Sequence, residues 1–392
     1  MVLGLSATRI PRYNDGAIQT RQQCTGGTVK FNLQIWQILL LPALTALLLA
    51  LPAGAQTPEP LTTIFGDAAA EFSVPRDLLG ALGYTRSHLR SQVSELNEFG
   101  VMQLPPQQVA AAAALLGAPV DAVRFDTRQN VRGAAALLRQ TADRLYPAQS
   151  ALSTEQWFVV TAAFSFPGNP TQGREHARQV FGVLADGLTA QAGGETVTIA
   201  PWPEARPLAA QPIVRIASDD YAPAHWVAAH DSNFSAASRT ADDIDMIVIH
   251  TTEANYSAVL DHFTRPERWA SAHYVIRSAD GDVSQMVRDS DVAWHAGHWQ
   301  TNLRSIGIEH EAFVDDASWY TDEMYRASVK LVRHLAQKYA IPLDRQHIIG
   351  HVDVPGCPFT GGGASCHTDP GPHWDWDYFF RLLQAETPTP TP

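Results

Sequence analysis

The chain has 392 residues, 45% of them apolar, and a formal net charge of −12. That length suits two or three domains with sizeable cores. The acidic balance excludes nucleic acid as the partner, because phosphate binding needs a basic footprint, and leaves neutral glycans and peptides open.

Ile38 to Leu51, ILLLPALTALLLAL, is almost purely apolar and too short for a comfortable bilayer span. PAGAQ follows, with Ala53 and Ala55 in the small-residue pattern of a signal-peptidase site. Residues 1–55 therefore read as a signal peptide. The mature chain is expected to be secreted or extracytoplasmic, in the periplasm or cell wall, without stable membrane insertion. An uncleaved anchor is the alternative reading, and the long basic segment before the apolar run leaves the true start open.

Residues 61–190 are Ala/Leu-rich with helical spacing, as in QQVAAAAALLGA and NVRGAAALLRQTADRL, which predicts an all-helical domain. Residues 191–215 carry several Pro and Gly and read as a linker. From 216 to 382 the pattern is mixed. MIVIHTT and SIGIEHEAF read as strands, and SAHYVIRSADGDVSQMV as two strands around a turn at Asp280-Gly281. TDEMYRASVKLVRHLAQKYA reads as a helix with Thr321 as N-cap, and HIIGHVDV as a further strand or strand end. The fold class expected is an α/β domain, a mixed central sheet flanked by helices, preceded by an all-α domain. Residues 383–392, ending in ETPTPTP, are expected to form a disordered tail. Cys357 and Cys366 lie nine positions apart in a Gly/Pro-rich stretch, which in an exported chain predicts a disulfide; a thiolate metal site is the weaker alternative. The sequence does not show an oligomeric state.

His250 closes MIVIH, His351 follows HIIG, and Asp369 opens a Pro-Gly-Pro corner. Two imidazoles and one carboxylate suit a zinc (Zn2+) site with three protein ligands and one open position for water, whose pKa the metal lowers toward neutrality. Glu309, inside the apolar run SIGIEHE, is the candidate base, since burial raises a carboxyl pKa. Glu311 lies on the same face of a regular strand, and spacing does not choose between them. His367 is a candidate for stabilising a developing oxyanion as a cation or donor. Each of these histidines also has a plain structural alternative, because a ligand set scattered over a hundred residues is no local motif.

IVIHTTEANYSAVLDHF, SAHYVIRSADGDVSQMV, AWHAGHW, SIGIEHE, HIIGHVDVPG and HTDPGPHWDW occur in the order of the zinc-dependent N-acetylmuramoyl-L-alanine amidases, and residues 220–382 resemble that family. The resemblance implies metal ligands at His250, His351 and Asp369, a catalytic base at Glu309, and His273, Trp294 and His295 toward the substrate. Members often carry Lys where this chain has His367. It implies hydrolysis of the amide between N-acetylmuramic acid and L-alanine, with a muramyl peptide of peptidoglycan as substrate. Residues 61–190 are similar to lytic transglycosylase domains, which have a lysozyme-like fold. There, however, the expected Glu-Ser pair reads Arg86-Ser87, so that domain is expected to be glycosidase-inactive, with Glu95 and Glu98 as the possible replacement acids. Three other functions stay in view: a peptidoglycan-binding protein that does not cut, a bifunctional amidase and transglycosylase, and a zinc amidase acting on another amide.

Overall fold

Helices fill the first half of the chain. A computed structural model describes residues 59–213, 215–356 and 367–385; the signal peptide read at 1–55, Cys357 and Cys366 lie outside these. In chain order come α1 (Leu61–Phe72), α2 (Arg76–Ser87), α3 (Pro106–Leu116), α4 (Val120–Phe125), α5 (Thr127–Leu145), α6 (Thr154–Ser165) and α7 (Pro170–Asp186). Their starts carry local signals: Asp126 caps α5 by accepting from the Gln129 N–H, and Ser153 with Gln156 forms a capping box on α6. Phe65, Leu79, Leu82, Leu138 and Phe181 meet in their common core.

Much of the segment 191–215, read as a linker, is folded: residues 191–209 carry regular elements. Strands β1 (Leu188–Ala192) and β2 (Glu195–Ile199) pair antiparallel, with Ala192 opposite Glu195. The turn between them is Gly193-Gly194, both at positive φ, as a two-residue hairpin of this twist requires. Val197 and Ile199 join the helical core, followed by α8 (Arg206–Ala209) with Leu208 also buried in it.

The second half is built on a seven-stranded mixed sheet. Its strands are β3 (Ile216–Ala217), β4 (His225–Trp226), β6 (Met246–Thr251), β7 (Tyr274–Ile276), β8 (Val283–Gln285), β10 (Ser305–His310) and β11 (Ile348–Gly350), in the spatial order β11-β6-β10-β7-β8-β4-β3. A separate pair joins β5 (Phe234–Ser235) to β9 (Val292–Ala293). Strand β6 lies parallel to both β10 and β11. The helices are α9 (Tyr256–Thr264), α10 (Trp299–Arg304), α11 (Asp322–Tyr339) and α12 (Trp376–Ala385). Thr321 caps α11 by accepting from the Met324 N–H. Helix α12 runs past residue 382, where a disordered tail was expected to begin, because Leu383 is buried in the core.

Period two along the strands sorts the side chains. Ile247 and Ile249 of β6 and Ile306 and Ile308 of β10 pack with Val329 and Leu335 of α11. The alternate residues His250, Gly307 and Glu309 are left for the opposite face. The two halves are fastened directly rather than tethered. Glu175 of α7 accepts from Arg277 at 2.8 Å and from Arg215 at 3.0 Å, and Asn169 Nδ2 donates to Asp261 Oδ1 at 2.9 Å.

Candidate active site

A cavity of about 320 Å³ opens where β6 and β10 end, the end of a sheet at which crossovers leave room for ligands. His250, Glu309, His351 and Asp369 all line it. His250 and Glu309 are Cα partners on the parallel strands, so both side chains leave the same face. His351 follows β11 directly. Asp369 precedes a cis peptide bond to Pro370, and its carbonyl accepts from the Val352 N–H at 2.8 Å.

The hydrogen bonds determine the tautomer of His250. Ser305 Oγ lies 2.7 Å from the Thr301 carbonyl, which only accepts, so the hydroxyl proton is spent there. His295 Nε2, 3.0 Å from the same hydroxyl, must therefore donate to it. Burial holds His295 neutral by lowering its pKa far below the ordinary value, which leaves Nδ1 as an acceptor. His250 Nε2 lies 2.9 Å from that Nδ1 and supplies the proton. Burial and the neighbouring His351 also depress His250, to about 4, so its own Nδ1 carries a lone pair. Gly307 makes this possible, since a Cβ there would lie 2.3 Å from the His295 ring.

That lone pair faces Asp369. His250 Nδ1 is 3.4 Å from Oδ2, and His351 Nδ1 is 3.0 Å from Oδ1. One atom from each of the three residues can be chosen within 4.8 Å of the others. An acceptor nitrogen aimed at a carboxylate is unfavourable unless a cation lies between them. Zinc bonds of about 2.0–2.1 Å put tetrahedral ligand atoms roughly 3.3 Å apart, close to the two separations seen. The residues present thus fit a zinc ion.

Glu309 and Glu311 have different surroundings. Glu309 Oε2 is buried and has no hydrogen-bond partner among the described residues. Burial, with the carboxylates of Asp369, Glu95 and Glu253 adding to it, raises its pKa well above the ordinary range. Glu311 accepts from the Tyr256 N–H at 2.7 Å and the Ser278 N–H at 2.9 Å, so it caps the start of α9 and points away from the cavity. His367 stacks on His351 with ring centroids 3.5 Å apart, and burial lowers its pKa. It is therefore a neutral donor near neutral pH rather than a cation.

Of the three residues expected toward the substrate, Trp294 and His295 line the cavity and His273 does not. His273 is completely buried behind it, where Nδ1 accepts from the Gly307 N–H at 3.0 Å and Nε2 lies 2.8 Å from Arg239. By register it shares the sheet face of Gly307 and Glu309, but its ring is committed to the Gly307 N–H and Arg239 and does not line the cavity. Several residues near the site went unread in the sequence. Glu253 lines the cavity, with burial raising it to about 7. Trp269, 68% exposed and at φ 59°, stacks on Trp294 with the rings 1° from parallel. Glu253 lies within a quoted motif without being singled out, and Trp269 has no motif, although an exposed Trp in a loop is itself a signal.

In the helical half, Arg86 is buried and donates to the Met102 carbonyl at 2.9 Å, under the ring of Phe164. Glu98 is buried beside it, and Glu95 lines the cavity of the other half.

A family model described as N-acetylmuramoyl-L-alanine amidase matches residues 240–372. The chain is 31% identical over 176 residues to N-acetylmuramoyl-L-alanine amidase A of Achromobacter lyticus, a match covering 42% of this chain and 96% of that protein. It is 37% identical over 123 residues to 1,6-anhydro-N-acetylmuramyl-L-alanine amidase AmpD of Escherichia coli, covering 30% of this chain and 60% of AmpD. Among solved structures it is similar, at 23% identity and a TM-score of 0.28, to E. coli AmiD in complex with anhydro-N-acetylmuramic acid-L-Ala-D-gamma-Glu-L-Lys, covering 36% of this chain and 57% of that one. By its match along nearly the whole of the Achromobacter protein, this chain belongs to the N-acetylmuramoyl-L-alanine amidase family.

Proposed function

We propose that the chain is an exported, zinc-dependent peptidoglycan hydrolase that cleaves the amide between the lactyl group of N-acetylmuramic acid and L-alanine. The observation that carries this reading is the convergence of His250, His351 and Asp369 on one point, with Glu309 paired to His250 across the sheet. His250 and His351 would hold zinc through imidazole nitrogen and Asp369 through carboxylate oxygen. Zinc, when bound there, supplies a Lewis acid that polarises the scissile carbonyl and lowers the pKa of water.

The protein's own groups do the rest. Glu309 Oε2 takes a proton from the attacking water and returns it to the nitrogen of L-alanine as the C–N bond breaks. A raised pKa suits a group that must both accept and release a proton. His367 donates a hydrogen bond to the carbonyl oxygen as negative charge develops on it. Trp294 supplies an apolar wall to the same cavity. The Ser305–His295 relay keeps the His250 Nδ1 lone pair pointed at the site.

The helical half is proposed to be a transglycosylase-like domain without glycosidase activity. Arg86 is committed to backbone carbonyls, and a guanidinium does not release a proton to a glycosidic oxygen. Among the described residues no helix is long and apolar enough to cross a membrane.

The test is digestion of purified sacculi with and without a chelator, followed by mass spectrometry. Stem peptides beginning with L-alanine, lost on chelation and restored by zinc, support the reading. Sacculi that bind the protein but stay intact contradict it, and anhydro-sugar products would overturn the inactive assignment of the helical half.

A further inference from the structure

The helical half reaches into the amidase cavity. The loop from Gln92 to Leu104 is held by bridges from Val93 to Phe99 and from Phe99 to Leu104. The Glu98 N–H donates to Ser94 Oγ at 3.1 Å, and Gln103 Nε2 donates to the Gly100 carbonyl at 2.7 Å. The tip of this loop is docked on the other half. The Glu95 N–H donates to the Glu253 carbonyl at 3.1 Å, and Leu96 packs on the apolar cluster around Tyr256, Val259 and Phe263. Glu95 and Leu96 both line the cavity that holds the His250, His351 and Asp369 cluster. The loop is thus a wall of the cleft, built by residues outside the matched span 240–372.

The chemistry of that wall is specific. Glu253 has a partner, since Oε1 accepts from the Val314 N–H at 2.7 Å. The Glu95 side chain is exposed to the cavity and has neither a hydrogen-bond nor an ion-pair partner among the described residues. The other acidic groups lining the cavity are Glu253, Glu309 and Asp369, with imidazoles beside them, and no Lys or Arg is among its lining residues. Zinc would offset the charge of Asp369. Glu95 has no cation from this chain among the described residues and is free to take one from the ligand. A stem peptide offers one: the side-chain ammonium of its third residue, which follows L-alanine and the γ-linked D-glutamate beyond the scissile amide.

We propose that Glu95 is a specificity-determining residue that receives this free ammonium, so that the enzyme prefers uncross-linked stem peptides over those whose amine is acylated. The inference rests on the amidase reading above. It gives the helical half a role that needs no catalytic acid of its own, as the donor of one wall of its neighbour's cleft.

The test uses the full zinc-loaded chain on two substrates, N-acetylmuramoyl-L-Ala-γ-D-Glu-L-Lys and its Nε-acetyl form. The wild type is expected to favour the free amine roughly 3- to 5-fold in kcat/KM, mainly through KM, the scale of one solvent-screened charge pair. The preference should shrink with added salt. Glu95→Gln should bring the ratio toward one. General damage to the fold slows both substrates together and does not move the ratio. The same contrast is read without turnover by titrating the free tripeptides L-Ala-γ-D-Glu-L-Lys and its acetylated form calorimetrically. Equal rates in the wild type, or a preference that survives Glu95→Gln, would overturn the role of Glu95 while leaving the amidase reading intact. Cleavage of neither substrate would contradict the amidase reading and this inference with it.

Discussion

His250 and Glu309 are register partners on adjacent parallel strands, and both project into one cavity. The proposed metal ligand and the proposed carboxylate base are thereby held at a spacing set by backbone hydrogen bonds, which deform less than loops do. Glu309→Gln is expected to keep bound zinc and lose about 10²–10⁴-fold in kcat. It should also unfold no more easily than the wild type at pH 7 to 8, because the neutral amide removes a carboxylate that burial disfavours. Metal analysis, steady-state rates and thermal melts check this. Near-normal turnover would remove Glu309 from the mechanism.

Asp369 provides the only carboxylate of the three-residue cluster. Asp369→Ala should leave two imidazoles, release zinc during dialysis against a mild chelator, and abolish activity. Full zinc occupancy after that dialysis would contradict the ligand assignment.

The relay behind His250 gives a sharper expectation. Ser305→Ala removes the acceptor for the His295 Nε2 proton and frees His295 to present the other tautomer. Zinc affinity should fall about 10- to 100-fold, as for other groups that orient metal ligands from behind. Ser305→Thr keeps the hydroxyl and should restore most of it. Competition against a chromogenic chelator measures both variants. An unchanged affinity in Ser305→Ala would mean that the tautomer of His250 is set by something else.

Stability should depend on pH through Glu98. Burial raises this carboxyl from 4.5 to about 7, with Arg86 pulling the other way. A folded-state pKa above the unfolded one means that its stabilising contribution is complete below about 4.5 and is lost as pH rises through about 7. Glu98→Gln does not titrate. It should therefore gain stability relative to the wild type on going from pH 5 to pH 8, by an amount on the order of 2–3 kcal/mol. Urea unfolding at the two pH values decides, and an equal difference at both would contradict the assignment.

The contact between the halves should matter to folding as a whole. Glu175 is buried between Arg277 and Arg215, so Glu175→Ala removes the carboxylate they share, while Arg277 keeps Asp280 and Arg215 keeps Asp282. A loss of about 1–3 kcal/mol is expected. Calorimetry of the wild type should show the halves melting together, whereas two well-separated transitions would mean that they are independent.

Much of the α/β half was legible because its signals are local. MIVIH is a short continuous apolar run and SIGIE alternates, Thr321 sits where a helix cap belongs, and Asp280-Gly281 marks the turn between β7 and β8. The candidate site residues were read through motif order rather than spacing, since parallel pairing brings His250, Glu309 and His351 together from distant positions. The hairpin at 188–199 was hidden by its flanking prolines, although Gly193-Gly194 between alternating residues is a hairpin signal. His273 was read toward the substrate, and no local signal shows that its ring is committed to the Gly307 N–H and Arg239. Nothing local announces that Glu95 lies in the cleft of another half, because that contact depends on how α2, α7 and α9 pack.

The most direct test of the central claim locates the bond that breaks. Hydrolysis of N-acetylmuramoyl-L-Ala-γ-D-Glu-L-Lys in ¹⁸O-labelled water, followed by mass spectrometry, should place one ¹⁸O in the lactyl carboxylate of N-acetylmuramic acid and none in the released tripeptide. Label in a peptide carboxylate, or no cleavage by the zinc-loaded chain, would contradict the amidase account.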